Sequence, residues 1–479
     1  MKICPKCNEK FDSGKFCKFC GSALQDELQE IHCRSCGAIL KDDAKFCPDC
    51  GAKVGVFETN GYQSNNVSTD LNLDNLDEYD LDYLLEQEEK THNAKIQVEI
   101  GKRYLFDDDS AHDSLAKDFF KKAADQNDAD GLYWLGQCFF YGYGGSEIKT
   151  KAIDLYKKAA ELRNTGALMA LGIECVKKNE EDAFGYFVDA LENGERNAYY
   201  WLALCYERGY GCEQDAEKAF ENYKKAVEYN DTDSYALEAL GECYLYGQGT
   251  AMDDGEAFKL FKKACSVDET NSYAQEKLGA CYRNGWGTQI NISKAIQHYK
   301  KAAEQNNTDA QNSLGMIYLN GEGDITTNET KAYQYFKKSA DNGNTIAMNN
   351  MGYCCEKGIG CNVNPEKAFN WYKNSAESGN ADGRFQVGLC FHSGYGCEKD
   401  EDYGLQLIQE AAEQGSENAQ EFLKNPTSNS SYAPAKSNAG KIGGAATGAA
   451  IGTAILPGVG TVIGGVLGGL FGSKVIDND

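Results

Sequence analysis

The sequence predicts an all-α protein: a right-handed α-solenoid of helix-turn-helix repeats, with a small cysteine-ordered unit before it and an apolar helical hairpin after it. Three observations predict this. A leucine-glycine pair recurs as Leu135-Gly136, Leu171-Gly172, Leu240-Gly241, Leu278-Gly279 and Leu314-Gly315. Met351-Gly352, Val387-Gly388, Ile100-Gly101 and Leu202-Ala203 keep the same beat, 31 to 38 residues apart. That period marks stacked helix pairs, each too small to bury its own apolar face. Four Cys-x-x-Cys knuckles fill the N-terminus, and glycine recurs every fourth residue in a tail without charge between Lys441 and Lys474.

In chain order, Cys4, Cys7, Cys17 and Cys20 make one set of thiols, and Cys33, Cys36, Cys47 and Cys50 a second. A Cys-x-x-Cys turns back so that two thiolates face one ion, and two knuckles close a tetrahedral site. Lys15-Phe16-Cys17 and Lys45-Phe46-Cys47 show that one unit was duplicated. Units of about twenty residues have almost no apolar core, and structural zinc supplies roughly 10–16 kcal/mol of apparent binding free energy to such folds. Residues 1–55 resemble a double zinc ribbon, which implies two structural zinc ions. A redox Cys-x-x-Cys or disulfides are the competing readings, disfavoured by the lack of a secretory signal and of a βαβ context. His32, beside Cys33, reads as a bystander because the four-sulfur set is complete.

A zinc ribbon often reads nucleic acid, and charge argues against it here. Residues 1–55 hold nine basic and eight acidic side chains, a balance that turns negative once eight thiolates and two zinc ions are counted. The whole chain carries −25, whereas nucleic-acid affinity comes largely from neutralising phosphates. Residues 56–93 then shift from Asn, Ser and Gly to a run of Asp and Glu, the composition of a flexible acidic linker. Leu76, Leu81, Leu84 and Leu85 allow a short amphipathic helix near 76–89, which would be a partner-binding segment.

Residues 94–424 hold nine repeats and a partial tenth helix from Glu417 to Leu423. In the sixth, Ala274, Leu278, Gly279 and Tyr282 line a first helix, and Gly285 and Gly287 break it. Ala295, Ile296, Tyr299, Ala302 and Ala303 line a second, with Lys300-Lys301 outward. The pattern closely resembles the Sel-one-like repeat, a relative of the tetratricopeptide repeat. Repeat 3 departs from it, running Cys175-Val176-Lys177-Lys178-Asn179 without Gly-x-Gly, and repeat 1 replaces the glycine turn with Asp107-Asp108-Asp109. An atypical first copy is what a solvent-facing cap looks like. The Gly-x-Gly is not a phosphate loop, since it follows helices and no Gly-x-x-x-x-Gly-Lys-Ser/Thr occurs. If the groove follows tetratricopeptide geometry, the position two before each leucine faces the ligand: Tyr133, Tyr200, Glu238, Glu276, Asn312, Asn349 and Phe385. The aromatics among them can equally pack against neighbouring repeats.

Cys138, Cys205, Cys243, Cys281, Cys354 and Cys390 occupy one small apolar slot of the first helices, an ordinary core position. Cys205/Cys212, Cys354/Cys361 and Cys390/Cys397 are seven apart, about 10 Å on a continuous helix against a limit of roughly 7 Å between bridged Cα atoms. Reduced thiols beside zinc knuckles indicate a cytoplasmic protein.

After a linker (425–439), Gly440, Gly444, Gly448 and Gly452 form one period-four row, and Gly460, Gly464, Gly468 and Gly472 another. Such rows make a groove where helices meet backbone to backbone. Pro457-Gly458 sits at the turn between them. Residues 440–473 resemble the glycine-zipper hairpins of membrane-associated proteins, and 474–479 form a polar tail. An arm such as 442–456 spans about 22 Å, short of a hydrocarbon core of roughly 30 Å, so partial insertion or oligomerisation is expected. Lys436, Lys441 and Lys474 place both flanks on the cytoplasmic side.

These parts indicate a non-enzymatic protein–protein interaction scaffold or adaptor, held at the cytoplasmic face of a membrane by its tail and able to self-associate through the zippers. The alternatives are a membrane-active or pore-forming effector whose zippers oligomerise in the bilayer, and a zinc-ribbon nucleic-acid-associated regulator. No HExxH, Walker loop, Gly-x-Ser-x-Gly or Cys/His catalytic motif is visible among only five histidines.

Overall fold

A computed structural model describes residues 72–107, 110–178 and 180–424, together with four strand dipeptides near the N-terminus. The eight knuckle cysteines, Asp108, Asp109, Asn179 and the glycine rows of 440–472 lie outside the described residues. The chain divides into two compact units, 1–152 and 153–479.

The first unit opens with two antiparallel hairpins. Strands β1 (Lys2–Ile3) and β2 (Lys10–Phe11) pair with Lys2 opposite Phe11, and β3 (Ile31–His32) and β4 (Ile39–Leu40) pair with Ile31 opposite Leu40. A 3-10 turn (Leu76–Glu78) and helices α1 (Leu81–Thr91), α2 (Ala94–Leu105), α3 (Asp113–Asp125) and α4 (Ala129–Tyr141) follow. Residues 72–91 thus depart from the flexible linker their acidity suggests. The reason is their leucines: Leu76 and Leu84 are buried on Ile96 and Ile100 of α2. Arg103 of α2 donates to the carbonyls of Tyr79 (2.6 Å) and Leu76 (3.0 Å), closing the 3-10 turn. Glu88 is buried as well, and accepts from Gln97 Nε2 (2.9 Å) and Lys122 Nζ (3.2 Å). This segment therefore covers the solvent-facing side of the first repeat.

Helix α5 (Lys149–Glu161) carries the boundary between the units. The second unit continues with α6 (Thr165–Lys178), α7 (Ala183–Glu192), α8 (Ala198–Arg208), α9 (Ala216–Tyr229), α10 (Ser234–Tyr246) and α11 (Asp254–Val267). Then come α12 (Ser272–Asn284), α13 (Ile292–Glu304), α14 (Thr308–Asn320), α15 (Glu329–Asp341), α16 (Thr345–Lys357) and α17 (Pro365–Glu377). Helices α18 (Ala381–Ser393), α19 (Glu401–Glu413) and α20 (Glu417–Lys424) complete it. Even-numbered helices carry the leucine-glycine pair, and from α6 onward each helix packs on the next in sequence.

The glycine of that pair has a specific partner. A methyl group built on Gly241 would lie 2.6 Å from Phe261 of the following helix, and one on Gly315 would lie 2.5 Å from Phe336. Gly101 with Phe120, Gly172 with Phe187 and Gly279 with Tyr299 repeat the arrangement. Each aromatic is fully buried and keys its helix onto the glycine notch of its own repeat. The turn after an even helix is equally regular. Gly285 (φ +79°) ends α12 in the left-handed region, and Gly287 (φ +61°) lies where any side chain would strike the backbone at Asp254, the start of α11. Asn291 then caps α13: its N–H donates to the Tyr282 carbonyl (2.7 Å) and its side chain accepts from Lys294 N (2.9 Å). Asp215, Asp253, Asn328, Asn364 and Asp400 cap the other second helices in the same way. In repeat 3, without the glycines, Glu180 N donates to the Cys175 carbonyl (2.9 Å) and α7 shortens to 10 residues.

Candidate protein-binding surface

Within the second unit, neighbouring even helices meet along seams, and two of these seams share a register. In these two, the residue just before the leucine position lies against the residue two before it in the preceding repeat. Asn350 Nδ2 on α16 donates to Asn312 Oδ1 on α14 (2.8 Å), and Phe422 on α20 meets Phe385 on α18 edge to face at 6.0 Å. Residues at these two positions, and Glu242 on α10, contribute the chemistry that the seams show.

At α8 the seam is aromatic. Tyr200 is half-buried against Trp201 (5.4 Å) and Tyr223 (5.8 Å). Burial raises its hydroxyl pKa well above the ordinary value, with Glu238, Asp233 and Glu207 adding to the effect. In the first unit, Tyr133 of α4 sits edge-on to Trp134 at 5.3 Å.

Along α10 and α12 the seam is acidic. Lys277, the residue before the α12 leucine, reaches back to Glu242 of α10 (2.9 Å) and across to Glu276 (3.4 Å). Burial opposes its charge, but those two carboxylates hold its pKa well above normal. Glu276 has its pKa raised, first by burial and against the pull of Lys277. Glu238 is half-buried and has no ion-pair partner within 4 Å among the described residues. Burial first, then Glu242, Glu207 and Glu276, push its proton affinity well above the carboxylate range, with Lys277 opposing. Nearby, Glu207 is already engaged by Tyr223 Oη (2.7 Å) and Arg208 (2.9 Å).

Along α14, α16 and α18 the seam is lined by amides. Asn349 is buried and donates to Asn380 Oδ1 (3.1 Å), while its own Oδ1 has no donor. Gln386, before the α18 leucine position, is also buried, and its Oε1 is likewise unmet. Phe385 is completely buried beneath Phe422, so it belongs to the core of the last repeats and cannot face a ligand in this arrangement. Of the seven positions chosen by spacing, Tyr133, Tyr200, Glu238, Glu276 and Asn312 remain partly open, while Asn349 and Phe385 are buried. Spacing missed Glu242, Lys277, Asn350 and Gln386. For Lys277, Asn350 and Gln386 the signal was a polar side chain just before the leucine position, where other repeats place Trp134 and Trp201; Glu242 lies two residues after its leucine and carries no such signal.

The remaining cysteines are core residues. Burial pushes the thiols of Cys138, Cys205, Cys243, Cys281, Cys354 and Cys390 up to about 12, which leaves them protonated. All twelve cysteines of the repeats are free, and Cys361 Sγ donates to the Cys354 carbonyl (3.4 Å). Among the described residues no cluster of histidine, cysteine and carboxylate side chains could hold a metal, and no helix is long and apolar enough to cross a membrane. The zinc-ribbon cysteines lie at the N-terminus. In sequence, Cys4 and Cys7 fall between β1 and β2, and Cys33 and Cys36 between β3 and β4; the cysteines themselves lie outside the described residues.

Comparison with known proteins agrees with this division. The Sel1 repeat family matches residues 108–128, 129–164, 196–229, 234–267, 272–307, 308–344, 345–380 and 381–416, more than half of the chain. The double zinc ribbon family matches residues 4–51, and the C13G5.2-like glycine zipper domain matches residues 424–476. An uncharacterized Sel1-like repeat-containing protein of Schizosaccharomyces pombe is 32% identical over 132 residues, covering 27% of this chain and 20% of that one. Chitin synthase regulatory factor 1 of the same yeast is 28% identical over 180 residues, covering 35% and 39%. Rat DAP3-binding cell death enhancer 1 is 32% identical over 82 residues, 16% of each. The chain thus spans less than two fifths of these relatives. Among solved structures, a Sel1 repeat protein from Oxalobacter formigenes is 29% identical, with a TM-score of 0.45 over 51% of this chain and 96% of that one. A protective antigen of uropathogenic Escherichia coli is 21% identical, with a TM-score of 0.41 over 74% and 91%.

Proposed function

Given that this chain belongs to the Sel1 repeat family, we propose that it is a non-enzymatic adaptor whose repeats grip a protein partner along the even-helix seams. Repeat solenoids of this kind are protein–protein interaction scaffolds, and two of the relatives are named for binding DAP3 and for regulating chitin synthase. The observation that carries the reading is Glu238, a half-buried carboxylate without an ion pair among the described residues, in a seam that also holds Glu207, Glu242 and Glu276 and whose Lys277 pairs with Glu242 and Glu276 instead. A fold gains nothing from such a group, so its use lies in what binds there.

The two flanking segments equip the adaptor. Cys4, Cys7, Cys17 and Cys20 would hold one zinc ion and Cys33, Cys36, Cys47 and Cys50 another, both structural. The glycine rows of 440–472 would seat the protein on the cytoplasmic face of a membrane by apolar contact, which an acidic chain cannot obtain from anionic lipid by charge. The glycine-zipper match also supports a second reading, a membrane-active effector that oligomerises in the bilayer.

Affinity capture from native membranes tests the adaptor reading, using the intact chain, a chain lacking 440–479, and a chain with Glu238, Glu276, Asn312 and Asn349 changed to alanine. The same proteins should be captured by the first two and lost by the third. Equal capture by the substituted chain would remove the seam as the binding surface. Leakage of dye-loaded vesicles by the intact chain, abolished by the tail deletion, would favour the effector.

A further inference from the structure

We propose that the seams from α10 to α18 bind an extended, basic polypeptide segment. Its lysine or arginine side chains would lie at the acidic end, and its main chain would lie on the amides. This rests on the adaptor reading and specifies the partner's chemistry. Two independent observations carry it. The first is the charge of the α10–α12 seam, where Glu238, Glu242 and Glu276 face one Lys277, and Glu238 has no ion pair among the described residues. The second is the pair of acceptors in the α16–α18 seam, Asn349 Oδ1 and Gln386 Oε1, which are more than nine-tenths buried and meet no donor. An unmet buried acceptor costs about 1–3 kcal/mol, so both seams are short of the same thing, N–H donors. A polypeptide supplies both kinds, a charged one from lysine or arginine and a neutral one from each peptide bond.

Geometry sets the length. Even helices packed side by side lie about 8–10 Å apart, so four steps from α10 to α18 span roughly 40 Å. An extended chain rising about 3.3 Å per residue covers that in about twelve residues. Neutral amides both donate and accept, which suits a main chain and leaves side-chain identity free over α14 to α18. Selectivity then resides at the acidic end. A nucleic acid is disfavoured by the same carboxylates.

The test is fluorescence anisotropy of the full chain with fluorescein-labelled twelve-residue peptides. One carries four lysines at one end with serine and glycine elsewhere. A second replaces the lysines by glutamates, and a third keeps the lysines but has N-methylated peptide bonds in its neutral half. The lysine peptide should bind and the glutamate peptide should not. N-methylation and the E238Q/E276Q double variant should each weaken binding about tenfold or more, the scale of one or two lost charge-assisted or buried hydrogen bonds. Gln386→Leu removes an unmet acceptor, so it should raise Tm while weakening the lysine peptide. If that variant raises Tm and binds equally well, the acceptor is only a packing defect and the main-chain part of the proposal falls. Equal binding of lysine and glutamate peptides, or none of either, overturns the proposal as a whole. Native partners captured by the intact chain in that case would leave the adaptor reading standing and refute only the basic-segment chemistry.

Discussion

Glu238 and Glu322 are both seam or turn carboxylates, yet their titrations act on stability in opposite directions. Glu238 holds its proton more tightly in the fold than the ordinary value near 4.5, because of burial and its acidic neighbours. Its contribution is therefore fully present below about pH 4 and is lost as pH rises through its raised folded-state pKa. Glu238→Gln, which keeps the shape and removes the charge, should raise Tm by a few degrees at pH 7, with the gain vanishing towards pH 4. Differential scanning calorimetry across that range measures it, and a Gln variant less stable at pH 7 would contradict the assignment. Glu322 also suffers burial, but Arg283 grips it through two hydrogen bonds of 2.8 and 2.6 Å and lowers its pKa. Its contribution is present above the unfolded value and is lost as pH falls through the lowered one. Glu322→Gln should cost about 1–3 kcal/mol at pH 7, read as a shift of the urea midpoint, and the cost should shrink in acid.

At the scale of elements, the glycine notch decides how closely two helices of one repeat approach. Gly241→Val should place a branched side chain on the Phe261 ring, which is fully buried and cannot swing away. The expected cost is about 3 kcal/mol from overpacking, larger than anything helix propensity returns; urea unfolding with unchanged stability would show that the ring has room. Repeat 4, with Ala203 at this position, marks the limit of tolerance. The N-terminal cap gives a second element-scale test. Leu84→Ala should cost about 2–5 kcal/mol and raise amide exchange in α2, because Leu84 is fully buried in the cluster that covers Ile96 and Ile100. Much of this was legible in sequence: the leucine-glycine beat gave the even helices, and the paired glycines gave the turns. Residues 72–91 were legible only in part: their leucines allowed a short helix near 76–89, but acidity favoured a flexible linker, and the burial of Leu76 and Leu84 against α2 is not written in their spacing. Phe385 was misread for a related reason. Its spacing matches the groove positions, but its exposure depends on Phe422, a residue in a helix 37 positions further on. Spacing on one helix cannot report the partner that a neighbouring helix supplies.

For the whole molecule, three chemistries occupy three stretches of chain, so they should respond separately. Metal analysis of freshly purified, reduced protein should return two zinc ions per chain, and a chelator should leave the helical signal of 94–424 intact; a value near zero would remove the zinc assignment. Deleting 440–479 should release the protein from membranes that hold the intact chain through a high-salt wash. The repeated helix cap has a further consequence for how such a chain changes length. Asn307-Thr308 and Asn344-Thr345 are the same dipeptide at the same cap, each asparagine accepting from the backbone N–H three residues on. Excising residues 308–344 would join Asn307 to Thr345 and leave that junction chemically unaltered. A chain shortened in this way should still unfold in one cooperative transition. Genetic recombination between copies therefore has a silent splice point, and the span of the binding surface becomes a heritable quantity that can vary by whole repeats without any repeat having to be redesigned.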